Sequence, residues 1–146
     1  MLQRIHVPEP AGPVLPAPEA AVCETSGLRC VLRAVPAVPG DDGVIVVVHV
    51  AGDIDLSSQD GLRVALRGGL AAAPRHLVLD LSDVQFCGAR ALTVLAGAPC
   101  GAAGGTTCAV SGLSPVMDRL ARCLWDASAP TRYPSLSHAL AGIRAA

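Results

Sequence analysis

A chain of 146 residues with a formal net charge of −1 has the length of one domain and no basic excess for nucleic acid or an anionic membrane. Apolar residues make up 51% and aromatics only 2%, so the core is built from Ala, Val and Leu. No window approaches the roughly eighteen unbroken apolar residues of a spanning helix, and Pro8, Pro10, Pro13, Pro16 and Pro18 interrupt the apolar stretch a signal peptide requires, so a cytoplasmic protein is expected.

Residues 1–26 are rich in Pro, Ala and Glu without periodicity and read as a flexible arm; residues 27–146 read as the folded domain. Leu28 to Val35 alternates, with Leu28, Cys30, Leu32 and Ala34 on one side and Arg29, Val31 and Arg33 on the other, which predicts a half-exposed strand. Pro36 to Gly43 is turn-rich. Val44 to Val50 is a β-branched run suited to a central strand covered on both faces, and the pair reads as a hairpin.

Gly52-Asp53-Ile54-Asp55 then leads into Ser57-Ser58, either of which suits a helix cap. Leu62, Leu66 and Leu70 recur at helical spacing, predicting a helix from about Ser58 to Ala72 that Pro74 ends. His76 to Asp80 is the next strand, Ser82-Asp83 a polar turn, and Arg90 to Ala103 a second helix kinked near Pro99. Gly104-Gly105 turns into a strand at Thr106 to Val110. Ser114-Pro115 matches an N-cap followed by proline, opening a helix with Val116, Leu120 and Leu124 as its inward stripe. Thr131 to Tyr133 is an edge strand, and Ser135 to Arg144 a last helix with Leu136, Leu140 and Ile143 inward. The order β-β-α-β-α-β-α-β-α describes a single α/β domain with a mixed central sheet.

Catalytic patterns are scarce. No Gly-rich phosphate loop follows a strand, and there is no GxSxG elbow. Cys87 and Arg90 are separated by only two residues, too few for the anion-wrapping loop of a thiolate phosphatase. Asp53, Asp55, Asp80 and Asp83 fall near strand ends, but the chain has no lysine to complete a receiver-type pocket; turn and capping hydrogen bonds are the expected role of these carboxylates. His6, His49, His76 and His138 have no Cys or carboxylate partner at a suggestive spacing, and His49 reads as a structural histidine. Cys23, Cys30, Cys87, Cys100, Cys108 and Cys123 show no CxxC pair and are expected to be reduced, with no metal site and no cofactor. Trp125 and Tyr133 read as packing or rim residues.

Three stretches together carry a resemblance: VVHVAGDIDLSS, HLVLDLSDVQFCGARALTVL and TTCAVSGLSPVMDRLARCLW. They resemble the STAS domain of bacterial anti-sigma factor antagonists, over about Leu28 to Arg144. Gly52-Asp53-Ile54-Asp55 matches that family's strand-ending motif, Leu79 to Phe86 its next strand, and Ser111 to Val116 its later helix start. After the Phe, that family reads Asp-Ser-(Ser/Thr)-Gly-Leu, with the first Ser phosphorylated by the partner kinase. Here the positions read Gly88-Ala89-Arg90-Ala91-Leu92. Ala89 stands at the phosphoacceptor position and cannot be phosphorylated, so the near-doubly negative switch is missing there.

The resemblance implies a non-enzymatic regulator, monomeric or a weak homodimer, that binds an anti-sigma factor of the GHKL ATPase/kinase fold and so frees a sigma factor. Asp53, Asp55, Cys87, Gly88, Ala89, Arg90 and Ala91 are its expected partner-binding and regulatory residues. A cation such as Arg90 in a first helical turn opposes the helix dipole by some tenths of a kcal/mol and bears on partner choice. Cys87, Cys100 and Cys108 near that loop are the candidates for a redox control in place of phosphorylation. The alternative is a STAS-like accessory or sensor module in a transport or signalling assembly.

Overall fold

The computed structural model describes residues 21–25 (backbone only), 27–36, 43–71, 73–96, 106–126 and 129–145. The elements run β1 (Ala21–Thr25), β2 (Leu28–Pro36), β3 (Val44–Ile54), α1 (Gln59–Leu70), β4 (His76–Cys87), α2 (Ala89–Ala96), β5 (Thr107–Ser111), α3 (Pro115–Leu124), β6 (Thr131–Tyr133) and α4 (Leu136–Ala145). The six strands lie side by side in chain order. β1, β2 and β3 pair antiparallel, and β3 to β6 are parallel. The mixed α/β sheet is therefore as expected, with one strand more. β1 occupies residues 21–25 of the stretch read as an arm, because its backbone completes the open edge of β2. The expected turn within 37–42 and the kink near Pro99 lie outside the described residues.

Chain-order strands explain where the helices go. Each β-α-β crossover advances the sheet in the same direction, and crossovers of one hand then carry their helices to one face, where α1, α2 and α3 pack into one core. Strand alternation then sorts the core. Val46, Val48 and Val50 meet Leu62, Leu66, Leu92, Leu95 and Met117 on that face. Ile45, Val47, Val78 and Ala109 meet Ala139, Leu136, Leu140 and Ile143 of α4 on the other. A β-branched strand covered on both sides is what the run from Val44 announced.

β4 departs from the expected strand and turn. Ser82 and Asp83 do not break it; it runs through them to Cys87. The ladder absorbs the polar pair by slipping. His49 registers with Asp80 and Ala51 with Asp83, so two residues of β4 (Leu81 and Ser82) face one of β3. This is a β-bulge, and a second shift follows between Gly52 and Asp53. Asp80 supports the first one locally, since its Oδ1 accepts from the Ser82 amide at 3.2 Å and the Ser82 hydroxyl at 2.9 Å. Two glycines make room around it. Gly112 has φ +75°, and a Cβ there would lie 2.8 Å from the Ser82 amide nitrogen. Gly52 has φ +113°, and a Cβ there would strike the Gly27 carbonyl.

α3 begins as its sequence predicts, with Ser114 Oγ accepting from the Met117 amide at 3.2 Å and Pro115 in the first turn. Its inward face does not. Met117 and Ala121 are buried, whereas Val116, Leu120 and Leu124 are exposed, which corrects the inward stripe. All five are apolar, so periodicity admits a wide face and cannot say which edge of it meets α2. Met117→Ala is expected to cost about 2–5 kcal/mol and Leu124→Ala about 0.5 kcal/mol or less; chemical denaturation of both variants checks this orientation.

Candidate functional site

The carboxyl ends of β3 and β4 and the starts of α1 and α2 meet in one place. Asp55 closes the loop after β3: its Oδ1 accepts from the Ser57 amide (2.9 Å), the Ser57 hydroxyl (2.7 Å) and the Ser58 amide (3.1 Å). Ser58 precedes α1 but does not cap it with its side chain. Its wholly buried hydroxyl is turned back instead, donating to the Asp53 carbonyl at 2.8 Å and accepting from the Asp55 amide at 3.0 Å. The capping expectation is thus corrected: the hydroxyl is spent on the loop behind the helix. The serine hydrogen bonds, that of Ser57 first, hold the Asp55 carboxyl below the ordinary carboxylate range.

Across from this loop, the Gly88 amide donates to the Ile54 carbonyl at 3.2 Å, and the Gly88 carbonyl accepts from the Leu92 amide at 3.0 Å. Gly88 thereby occupies the position before α2 without a capping side chain, and the first turn of α2 holds no acidic residue. Arg90 is exposed in that turn. A cleft of about 310 Å³ lies here, lined by Asp55, Leu56, Gln59, Phe86, Gly88, Ala89, Arg90 and Ala91.

Of the residues expected from sequence, the fold brings Asp55, Gly88, Ala89, Arg90 and Ala91 to this cleft. Asp53 is exposed outside its lining, contributing its backbone carbonyl to Ser58. Cys87 turns away into the core, 5% exposed, and burial pushes its thiol up to about 11. A neutral buried thiol is a poor nucleophile and a poor redox centre at physiological pH, so Cys87 is not placed for phosphatase chemistry. Leu56 (66% exposed), Phe86 (55% exposed) and Gln59 were not singled out by their sequence. Phe86 is the chain's only phenylalanine, and its place next to the altered loop was the one available signal.

Among the other cysteines, Cys123 is an exposed thiol. Cys108, on β5, is disulfide-bonded. This corrects the expectation of six reduced cysteines: pairing depends on which sulfurs the fold brings within bonding distance, and the sequence has no close spacing to signal it.

A second polar cluster sits on the α4 side of the sheet. His49 lies between two carboxylates, with Nδ1 2.9 Å from Asp80 Oδ2 and Nε2 2.7 Å from Asp83 Oδ2. No sequence spacing pointed to these partners. The aspartates are 31 and 34 residues away in sequence, and the bulge puts both on the histidine's side of β4. Among the described residues no group of His, Cys, Asp and Glu is arranged to hold a metal ion. No described helix is long and apolar enough to cross a membrane.

Residues 38–124, more than half of the chain, match the family model described as Mlab, STAS domain. The chain belongs to the STAS domain family. The fold of this STAS domain is shared by several solved structures. An anti-sigma factor antagonist from Mycobacterium paratuberculosis is 27% identical with a TM-score of 0.57, over 80% of this chain and 94% of that one. The anti-sigma factor antagonist SpoIIAA in its unphosphorylated form is 12% identical with a TM-score of 0.56, over 79% and 97%. A serine-to-glutamate variant of RsbS from Moorella thermoacetica is 17% identical with a TM-score of 0.56, over 78% and 95%. No curated protein matches the sequence.

Two outcomes check this geometry. Because the folded Asp55 carboxyl ionises below its unfolded value of about 3.9, its stabilisation is present above that pH and is lost as pH falls through the folded value. The stability gap between the wild-type chain and Asp55→Asn should therefore close on acidification, measured by urea unfolding at a series of pH values. Brief iodoacetamide treatment at neutral pH should alkylate Cys123 and spare Cys87, read by peptide mass spectrometry.

Proposed function

We propose that this STAS domain is an anti-sigma factor antagonist: a binding module, not an enzyme, that captures an anti-sigma factor and so releases a sigma factor. The observation that carries this reading is the exposed start of α2. Ala89, at the position where the family's resemblance implies a phosphoacceptor, lines an open cleft flanked by the two large apolar side chains Leu56 and Phe86. Exposed apolar residues beside convergent backbone termini suit a protein partner better than a small polar substrate. The likeness to the mycobacterial antagonist, at 27% identity over most of both chains, supports the same role. The partner would be an anti-sigma factor of the GHKL ATPase/kinase type.

Control by phosphorylation is lost in this reading. Ala89 offers no hydroxyl, and an uncharged side chain at the start of α2 corresponds to a permanently dephosphorylated antagonist. Thr93, on the next turn, donates its hydroxyl to the Ala89 carbonyl at 3.1 Å and faces along the helix. Asp53, Asp55, Gly88, Arg90 and Ala91 would form the contact surface, with Cys87 supporting it from the core.

The test is binding of the purified chain to each anti-sigma factor encoded in the same genome, by calorimetry, with and without ATP. One should bind, and Phe86→Ser and Arg90→Ser should each weaken it by about tenfold, roughly 1.4 kcal/mol. Incubation of the pair with labelled ATP should leave residues 86–92 unlabelled. Failure of every anti-sigma factor to bind, or label within those residues, ends this reading.

A further inference from the structure

The reading above makes no use of His49, Asp80 and Asp83. Both ring nitrogens of His49 face carboxylate oxygens, at 2.9 and 2.7 Å. Both can donate only while the ring is an imidazolium, since a neutral imidazole keeps one N–H and presents a bare lone pair at the other nitrogen. We propose that His49 is a proton-operated latch on the last turn-ward stretch of β4: protonated, it ties Asp80 and Asp83 together; on losing a proton it keeps Asp80 and lets Asp83 go.

The order of release follows from burial. The Asp80 side chain is 8% exposed. Its Oδ1 is committed to Ser82 and lies 3.5 Å from the Ser111 hydroxyl, so Oδ2 has His49 as its hydrogen-bond partner. Stripping the N–H from that oxygen would strand a buried charge, the costly way to break a pair. The Asp83 side chain is 63% exposed, and water replaces the ring at little cost. The remaining proton therefore stays on Nδ1, facing Asp80.

Asp83 is also where release has a mechanical effect. It stands just past the first bulge and shortly before the second, where β4 pairs with β3 irregularly as Gly52 with Val84 and Asp53 with Phe86. The side-chain tie from Asp83 back to His49 crosses the first shift, alongside the backbone register of Ala51 with Asp83 and Gly52 with Val84. Loosening it frees the segment that ends in Phe86, at the cleft.

Other ionisable groups stand on the elements around the ring, with His76 at the far end of β4. On β2, Arg29 and Arg33 flank Val31, the residue registered with His49. Glu24 of β1 is registered with Arg29. On β5 and β6 the neighbours are the Ser111 hydroxyl and the Tyr133 phenol, whose residues are registered with one another. On α4, His138 is hydrogen-bonded to Ser135 and Arg144 donates to the Pro36 carbonyl. On β3 itself, Asp53 is exposed beyond the second shift. The two carboxylates in hydrogen-bond contact with the ring are those of Asp80 and Asp83.

The test needs no partner protein, so it stands apart from the antagonist reading. In the 15N-labelled chain, ring nitrogen shifts of His49 and the backbone amides of residues 83–86 are followed by NMR from about pH 5 to about pH 9. The expected result is a doubly protonated ring at the acid end and an Nδ1–H tautomer at the alkaline end. Amide shifts at residues 84–86 should follow the His49 titration, vanish in His49→Gln, and vanish in Asp83→Asn while His49 itself still titrates. Asp83→Asn keeps the test decisive if His49→Gln does not fold. Amides at 84–86 that stay still through the His49 titration, or a neutral ring carrying its proton on Nε2, overturn the latch.

Discussion

β3 and β4 are the long central strands of the sheet, paired in parallel, and near its carboxyl end their ladder slips twice. In a regular strand, Asp80 and Asp83 would point to opposite faces, because an odd separation reverses the side. The extra residue in β4 cancels that reversal. It puts both carboxylates beside His49 and lets Leu81 and Val84 reach the same core, and the second shift brings Cys87 to that core as well. Every feature beyond that point depends on the two slips: the outward Phe86, the inward Cys87, and the way Gly88 meets the Ile54 carbonyl and opens α2. The bulge is stabilised by local chemistry, with the Asp80 carboxylate serving the Ser82 amide and hydroxyl and Gly112 leaving room for the Ser82 backbone.

The cleft at the start of α2 combines a hydrogen-bonded floor with an exposed rim. The floor is the Asp55-Ser57-Ser58 network, in which one carboxylate oxygen and one buried hydroxyl satisfy the backbone of the loop after β3. The rim is Leu56, Phe86 and Arg90, side chains with much of their surface in water. A fixed backbone under adaptable apolar contacts is how binding surfaces limit the entropy lost on association. Gly88 and Ala89 contribute no polar side chain, so the positive end of α2 has no capping side chain from these two residues. Ala89 has no hydroxyl to carry a phosphoryl group.

Much of the architecture was legible along the chain. The Val44 run, the leucine spacing of α1, the Ser114-Pro115 helix start and the short edge strand at Thr131 each depend on neighbours close in sequence, and each formed where its pattern placed it. Local patterns failed wherever a distant contact decided the outcome. Ser82-Asp83 has turn chemistry but lies within β4, because β3 and Gly112 receive it there. Ser58 has capping chemistry but serves Asp53 and Asp55. Val116, Leu120 and Leu124 have core chemistry but point to solvent, since α2 covers the other edge of α3. Residues 21–25 lack a strong strand pattern and owe their strand to the free edge of β2.

By itself, the sequence determined the class of fold, the order of its central elements, the family resemblance and the absence of a hydroxyl at Ala89, because these rest on residue identity and short-range periodicity. Only the tertiary structure decided which side chains meet: the two aspartates on His49, the core-facing Cys87, the bonded Cys108, and Leu56 beside Phe86 at the rim. The physical reason is largely the pair of single-residue slips in the β3–β4 ladder. Each slip changes the face of the side chains after it, and no local pattern in β3 or β4 read separately contains that register.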